Sequence, residues 1–178
     1  MNKSTMNKQF KTIYPTLLAQ LQASLAMQIG TADEPVMVGI HTGGYWLAQR
    51  LHADLGLQKP LFAVSTTLQR DDFASHGLHK QILPTRLPHK LDDVHVILVD
   101  DILHTGRSIR AALNELFEFG RPASVRLAVL ADRGGRELPI AADFVGAHIA
   151  CAAGYELVLQ KNEAMQFDLQ LNLKNKGV

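Results

Sequence analysis

The chain has a single cysteine, Cys151, a single tryptophan, Trp46, and almost no net charge, with 18 Lys and Arg against 17 Asp and Glu. One thiol forms neither an intramolecular disulfide nor a cysteine-based zinc site. It suits a reducing cytoplasm, which is the location expected here. Cys151 itself reads as a small buried hydrophobe rather than a catalytic thiol. The near-zero charge excludes a strongly basic nucleic-acid protein, although not a local basic patch. No apolar run is continuous enough to span a membrane. Thr12 to Ala32 carries no charge and follows Lys3, Lys8 and Lys11, as an export signal does, yet Thr16, Gln20, Gln22, Ser24 and Gln28 interrupt it. Its apolar residues Ile13, Leu17, Leu18, Leu21 and Leu25 recur at three and four, which predicts one face of an amphipathic helix. Neither the Gly-x-x-x-x-Gly-Lys loop nor the Gly-x-Gly-x-x-Gly fingerprint occurs.

What is present is an ordinary globular composition: 178 residues, 47% hydrophobic and 20% charged. That length suits one domain over residues 1–178, burying roughly 70% of its unfolded surface. Disorder is excluded by the apolar content. There is no internal repeat, low-complexity tract or domain-scale linker.

Short apolar runs alternate with helical patterns. Pro35 to Ile40 reads as a buried strand, followed by Gly43-Gly44 and a helix over Tyr45 to Leu55. Trp46 lies on that helix's apolar face, as core or subunit interface rather than a base-stacking platform. Pro60 to Ser65 is a second strand. Gln69 to His89 is polar and aperiodic, the mark of a lid or of a hairpin that periodicity misses. Val94 to Val99 is a continuous apolar run, as in a parallel strand covered on both faces. A helix over Thr105 to Phe119 ends at Gly120 and Pro122. Ser124 to Ala131 and Asp143 to His148 read as strands. Residues 150–178 form a terminal segment whose alternating stretches, Leu157 to Leu159 and Phe167 to Leu173, predict a hairpin. The pattern predicts an α/β fold with a mainly parallel twisted sheet flanked by helices.

In such a sheet, ligands bind beyond the carboxyl ends of the strands. The run ending at Val99 is followed by Asp100-Asp101-Ile102-Leu103-His104-Thr105-Gly106-Arg107-Ser108. Adjacent carboxylates there need hydrogen-bond or cation partners. Gly106 allows close backbone approach, and a helix N-terminus favours an anion, phosphate above all. Thr105 and Ser108 add hydroxyls. A ligand with a phosphate and vicinal hydroxyls, such as a sugar phosphate, fits the segment. The plainer alternative is a capped helix beside two solvated aspartates. His76 and His79 are close together but have no third metal ligand at a recognisable spacing.

The segment Val96 to Ser108 resembles the phosphoribosyl-pyrophosphate (PRPP) motif of type I phosphoribosyltransferases: an apolar strand, two acidic residues, then Thr-Gly and a hydroxyl residue. Gly39-Ile-His-Thr-Gly-Gly44, Leu68 to Phe73, Gly120 to Ala123 and Leu130 to Pro139 resemble the blocks of one subfamily, the pyrimidine-operon attenuation regulators that are also uracil phosphoribosyltransferases. The resemblance covers roughly residues 10 to 150. It implies the type I fold with a small hood and a flexible lid loop at 69–89. It implies Asp100 and Asp101 on the ribose hydroxyls and Thr105 to Ser108 around the 5′-phosphate, with Ile102, Leu103 and His104 also in the PRPP site. Thr42, Gly43 and Gly44 would form the pyrophosphate loop, with Arg70 in support. Asp132 and Arg133 would lie by the base. Asp100, Asp101 and His104 are the candidate catalytic residues. Mg²⁺ would arrive with PRPP and need no cage of protein ligands.

The expected activity is transfer of phosphoribose to a nucleobase, uracil before a purine, by a homodimer or tetramer. The alternative is an RNA-binding regulator sensing UMP or PRPP, with Arg121, Arg126, Arg133 and Arg136 as its basic candidates. Three departures stand out. Gly43 replaces an Arg usual in the subfamily, which removes a bidentate anion contact. His104 stands where many purine-using relatives carry an acid that handles a proton; it either does similar work or only lines the loop. Gly135 stands where the regulators often have a basic residue or His, and residues 12–32 carry no Lys or Arg.

Overall fold

Five of the apolar runs pair as parallel strands in one sheet. In this computed structural model residues 3–29, 34–66, 84–88, 90–161 and 166–173 are described, with side chains from residue 13 onward. The sheet strands are β1 (Val36–Ile40), β2 (Phe62–Val64), β3 (His95–Leu103), β4 (Ser124–Asp132) and β5 (Phe144–His148), in the spatial order β2-β1-β3-β4-β5. Every neighbouring pair is parallel. That is the sheet implied by the continuous Val/Ile/Leu runs, which must be covered on both faces.

Helices supply that cover. Residues of α1 (Lys3–Ile29) and α2 (Gly43–Asp54) pack with Met37, Ile97, Val99, Ala128 and Leu130 on one face. Residues of α3 (Arg107–Glu118) pack with Val38, Val96, Leu98, Leu127 and Val129 on the other. In α1, Leu17, Leu18, Leu21 and Leu25 are all buried, as their spacing predicts. The terminal hairpin is also present: β6 (Tyr155–Lys161) and β7 (Phe167–Leu173) pair antiparallel. Leu157, Leu159, Leu169 and Leu171 turn inward onto α1's side of the core. This ribbon with α1 makes the small second layer beside the sheet. Trp46 is half-buried, its ring 6.2 Å from that of Phe167 and 5.9 Å from the Lys161 ammonium. It packs, as expected of its helix face. Cys151 is likewise partly buried against this core.

α2 starts two residues earlier than expected, at Gly43, and two further boundaries bear on the site. β3 runs on to Leu103 instead of stopping at Val99, because Ile102 and Leu103 still pair with Ala131 and Asp132 of β4. The acidic pair therefore lies inside the strand. α3 begins at Arg107, two residues later than expected, because Gly106 takes φ 91° and starts the helix. Of the lid expected at 69–89, only residues 84–88 are described; Arg70, His76 and His79 fall outside. Among the described residues, no helix is long and apolar enough to cross a membrane.

Candidate active site at the sheet crevice

β1 sends its chain through α2 to β2 on one side, while β3 lies on its other side. The carboxyl ends of β1 and β3 thus flank a topological switch point, where open α/β sheets bind ligands. β1 leaves the sheet after Ile40, near the level of Val99, while β3 continues to Leu103. Asp100 and Asp101 consequently have no strand neighbour on that side. The start of α2 fills the gap instead. Its first residues, Gly43 and Gly44, come so close that a Cβ on either would overlap Asp101 or the β3 backbone at Val99–Asp100. The loop before them holds a cis peptide between His41 and Thr42. At Gly44 the obstacle is the β3 backbone, so glycine is required there by packing, whereas at Gly43 it is the movable Asp101 carboxylate.

Asp100 is buried, 5% exposed, and its Oδ1 accepts the Asp101 amide at 3.1 Å. Asp101 is only half-buried, toward Gly43. The next residues curve around a small cavity of about 50 Å³ lined by Asp100, Ile102, Leu103, His104, Thr105, Gly106, Ser108 and Ile109. The first-turn amides of α3 have no partner within the helix, so the cavity carries the anion preference expected of Thr105 to Ser108. Gly106 holds the N-cap position without a side-chain bond, and the Thr105 hydroxyl accepts the Arg107 amide at 3.3 Å.

Arg107 turns away from the cavity and pairs with Glu137 at 2.7 Å on the surface. His104 packs its Nε2 edge against Gly135, so closely that a Cβ there would stand 2.9 Å from it. Arg133 ties β4 to β6, its Nη2 donating to the Tyr155 carbonyl at 3.2 Å. Asp132 closes β4. Burial alone would raise its pKa, but the Gly134 amide, the Arg136 guanidinium and His148 together hold it below the usual carboxylate range. His41 carries a lowered pKa, from burial first and from Arg86 second. Its Nδ1 is buried and, among the described residues, has no hydrogen-bond partner.

Sequence reasoning gave Arg136 no part in this site, only a place among basic surface candidates. Here its guanidinium bonds Asp132 and the carbonyls of His104 and Ile140. Contacts between loops have no periodicity and leave no local signal in a sequence. A larger cavity of about 310 Å³, lined among others by Gln28, Pro35, His95, Ser124 and Arg126, lies at the opposite edge. It sits by the amino ends of the strands, away from the crevice.

A five-stranded parallel sheet flanked by helices, with an acidic pair and a glycine-started helix at its switch point, places the chain among the open α/β folds. The phosphoribosyl transferase domain family matches residues 9–156. Bifunctional protein PyrR of Nitrosococcus oceani is 49% identical over 140 residues, 78% of this chain and 79% of that one. Bifunctional protein PyrR of Ralstonia nicotianae is 51% identical over 152 residues, 85% of each chain. The chain therefore belongs to the type I phosphoribosyltransferase family, on its PyrR branch. The solved hypoxanthine phosphoribosyltransferase of Trypanosoma cruzi shares the fold, with TM-score 0.61 at 19% identity over 89% of this chain and 92% of that one.

Proposed function

We propose that the protein transfers phosphoribose from PRPP to uracil, giving UMP and pyrophosphate, in a Mg²⁺-dependent reaction of pyrimidine salvage in the cytoplasm. The observation that carries this reading is the acidic pair of β3 facing the glycine-built loop across the crevice, beside the anion cavity of α3. Asp100 and Asp101 would accept the ribose hydroxyls, and the Thr105–Ser108 turn the 5′-phosphate. The backbone at Thr42 to Gly44 would approach the diphosphate, with Arg70 in support. As the bond from the anomeric carbon to pyrophosphate breaks, its electron pair leaves with the diphosphate. The base nitrogen then bonds to that carbon and loses its proton, for which His104 is the candidate acceptor. Positive charge developing at the anomeric carbon is met by fixed carboxylates, and the work of the site is positioning and charge stabilisation. Hydrated Mg²⁺ takes phosphate oxygens and one or two carboxylates, and the two adjacent carboxylates fit that donor set. Bound with PRPP, it would neutralise diphosphate charge. Asp132 and Arg133 would border the base. A homo-oligomer, dimer or tetramer, belongs to this reading.

A second reading is a UMP- or PRPP-sensing RNA regulator, favoured by half identity to relatives whose name begins "Bifunctional". Of its basic candidates, Arg121 and Arg126 are exposed at the amino end of β4, whereas Arg133 donates to the Tyr155 carbonyl at the other end. Arg136 is occupied by internal acceptors.

The test is pyrophosphate release from PRPP and Mg²⁺ with uracil, orotate, hypoxanthine or guanine. Release with uracil alone is expected. Release only with a purine would move the substrate; PRPP binding without release from any base would leave the sensor reading. Asp100→Asn with Asp101→Asn should lower kcat/KM for PRPP at least about a hundredfold, roughly 2.7 kcal/mol.

A further inference from the structure

One guanidinium outside the crevice gathers acceptors from both loops that border it. Arg136 lies in the connection of residues 133–143, where β4 passes to β5 without a helix. Its Nε donates to the Ile140 carbonyl at 2.9 Å, closing its own loop. Its Nη1 donates to the His104 carbonyl at 2.7 Å and lies 3.5 Å from that of Leu103. Its Nη2 donates to Asp132 Oδ2. The side chain is 23% exposed and that of Asp132 is 12% exposed. The planar fork of donors thus holds three directions at once, which an ammonium does not do.

A trans peptide is planar, with its carbonyl and its N–H pointing in opposite directions. Fixing the His104 carbonyl therefore fixes the amide of Thr105, facing away from Arg136, while the Leu103 carbonyl is held by the Arg133 amide at 3.0 Å. His104 and Thr105 line the anion cavity, and Arg136 does not. The same connection braces the turn from a second point, since the Glu137 and Leu138 amides donate to the Thr105 carbonyl at 3.0 and 3.2 Å.

We infer that Arg136 is a positioning residue that sets the direction of the Thr105 amide at the phosphate cavity and couples it to Asp132 at the end of β4. The inference rests on the PRPP reading of that cavity. Arg136 does not line the cavity; it acts through the His104–Thr105 peptide plane and through Asp132.

The test uses the full chain with Arg136→Ala and Arg136→Lys. Calorimetry of PRPP binding should show at least a tenfold weaker Kd for Arg136→Ala. Free guanidinium at tens of millimolar should recover part of that loss in Arg136→Ala and leave the wild type unchanged. A merely structural arginine would lower Tm without giving that rescue. If Arg136→Ala does not fold, Arg136→Lys decides: it keeps the charge beside Asp132 but not the fork, and should still bind PRPP several-fold more weakly. Hydrogen exchange of the 103–108 segment without ligand should be faster in the variants than in the wild type. PRPP affinity and exchange both equal to wild type would overturn the inference. A wild type that fails to bind PRPP would overturn the reading of the cavity, while exchange still decides whether Arg136 orders it.

Discussion

The Asp101 carboxylate lies where a side chain on Gly43 would begin. The arginine usual in the subfamily at this position and the present placement of Asp101 exclude each other. Gly43→Ala should displace the carboxylate and lower kcat/KM for PRPP at least about tenfold, with Tm little changed. Gly43→Arg should behave no better than Gly43→Ala. Steady-state kinetics with PRPP varied decide this, and activity above wild type in Gly43→Arg would show that Asp101 has a second, equally good position.

Gly106 starts α3 with φ 91°, and a Cβ there would stand 3.3 Å from Ile140. A side chain at 106 therefore meets two costs, a left-handed backbone of about 1–2 kcal/mol and a push against the 133–143 connection. Gly106→Val should abolish PRPP binding and also lower Tm by several degrees, so the effect is not confined to the ligand. Calorimetry and a thermal melt, run together, check both halves; intact PRPP affinity would show that the cradle is not formed by this turn.

His41 has a pKa below its ordinary value of 6.5 in the folded protein, through burial and then Arg86. The unfolded chain takes up that proton first as pH falls. The contribution of His41 to stability is thus complete above about pH 6.5 and is lost as pH falls through the lower folded value. Between pH 7.5 and 5 the wild type should lose more Tm than His41→Gln does. Parallel curves for the two proteins would show that the imidazole is as solvated folded as unfolded.

Leu169 of β7 is fully buried within the core that includes Leu21 and Leu25 of α1. Leu169→Ala should cost about 2–5 kcal/mol, measured by urea unfolding followed in the far ultraviolet. A loss under about 1 kcal/mol would mean that the β6–β7 ribbon unfolds independently of the sheet.

The elements carried by periodicity were legible in the sequence. The α1 face through Leu25 and the alternation of Phe167 to Leu173 each bury one side, which imposes a repeat, and Val94 to Val99 is buried on both, which makes a continuous apolar run. The end of β3 was not legible, because Asp100 and Asp101 look like a loop while their backbones pair on with β4. The start of α3 was readable from Thr105-Gly106-Arg107-Ser108 to within two residues, since a helix start has local chemistry. The fork of Arg136 and the approach of Gly43 to Asp101 were not. Each joins residues distant in the chain through a backbone geometry that no single segment determines.

The packing of α1 on β7 has a consequence for how the chain reaches this state. Leu21 and Leu169 share one core although they come from opposite ends of the sequence. Closing a loop of that span is slow relative to local helix formation, and synthesis delivers the amino-terminal half first. On the ribosome, then, the leucines of α1 wait without the ribbon that covers them until β7 has emerged. In that interval the nascent chain offers a greasy helix to chaperones and to other nascent chains.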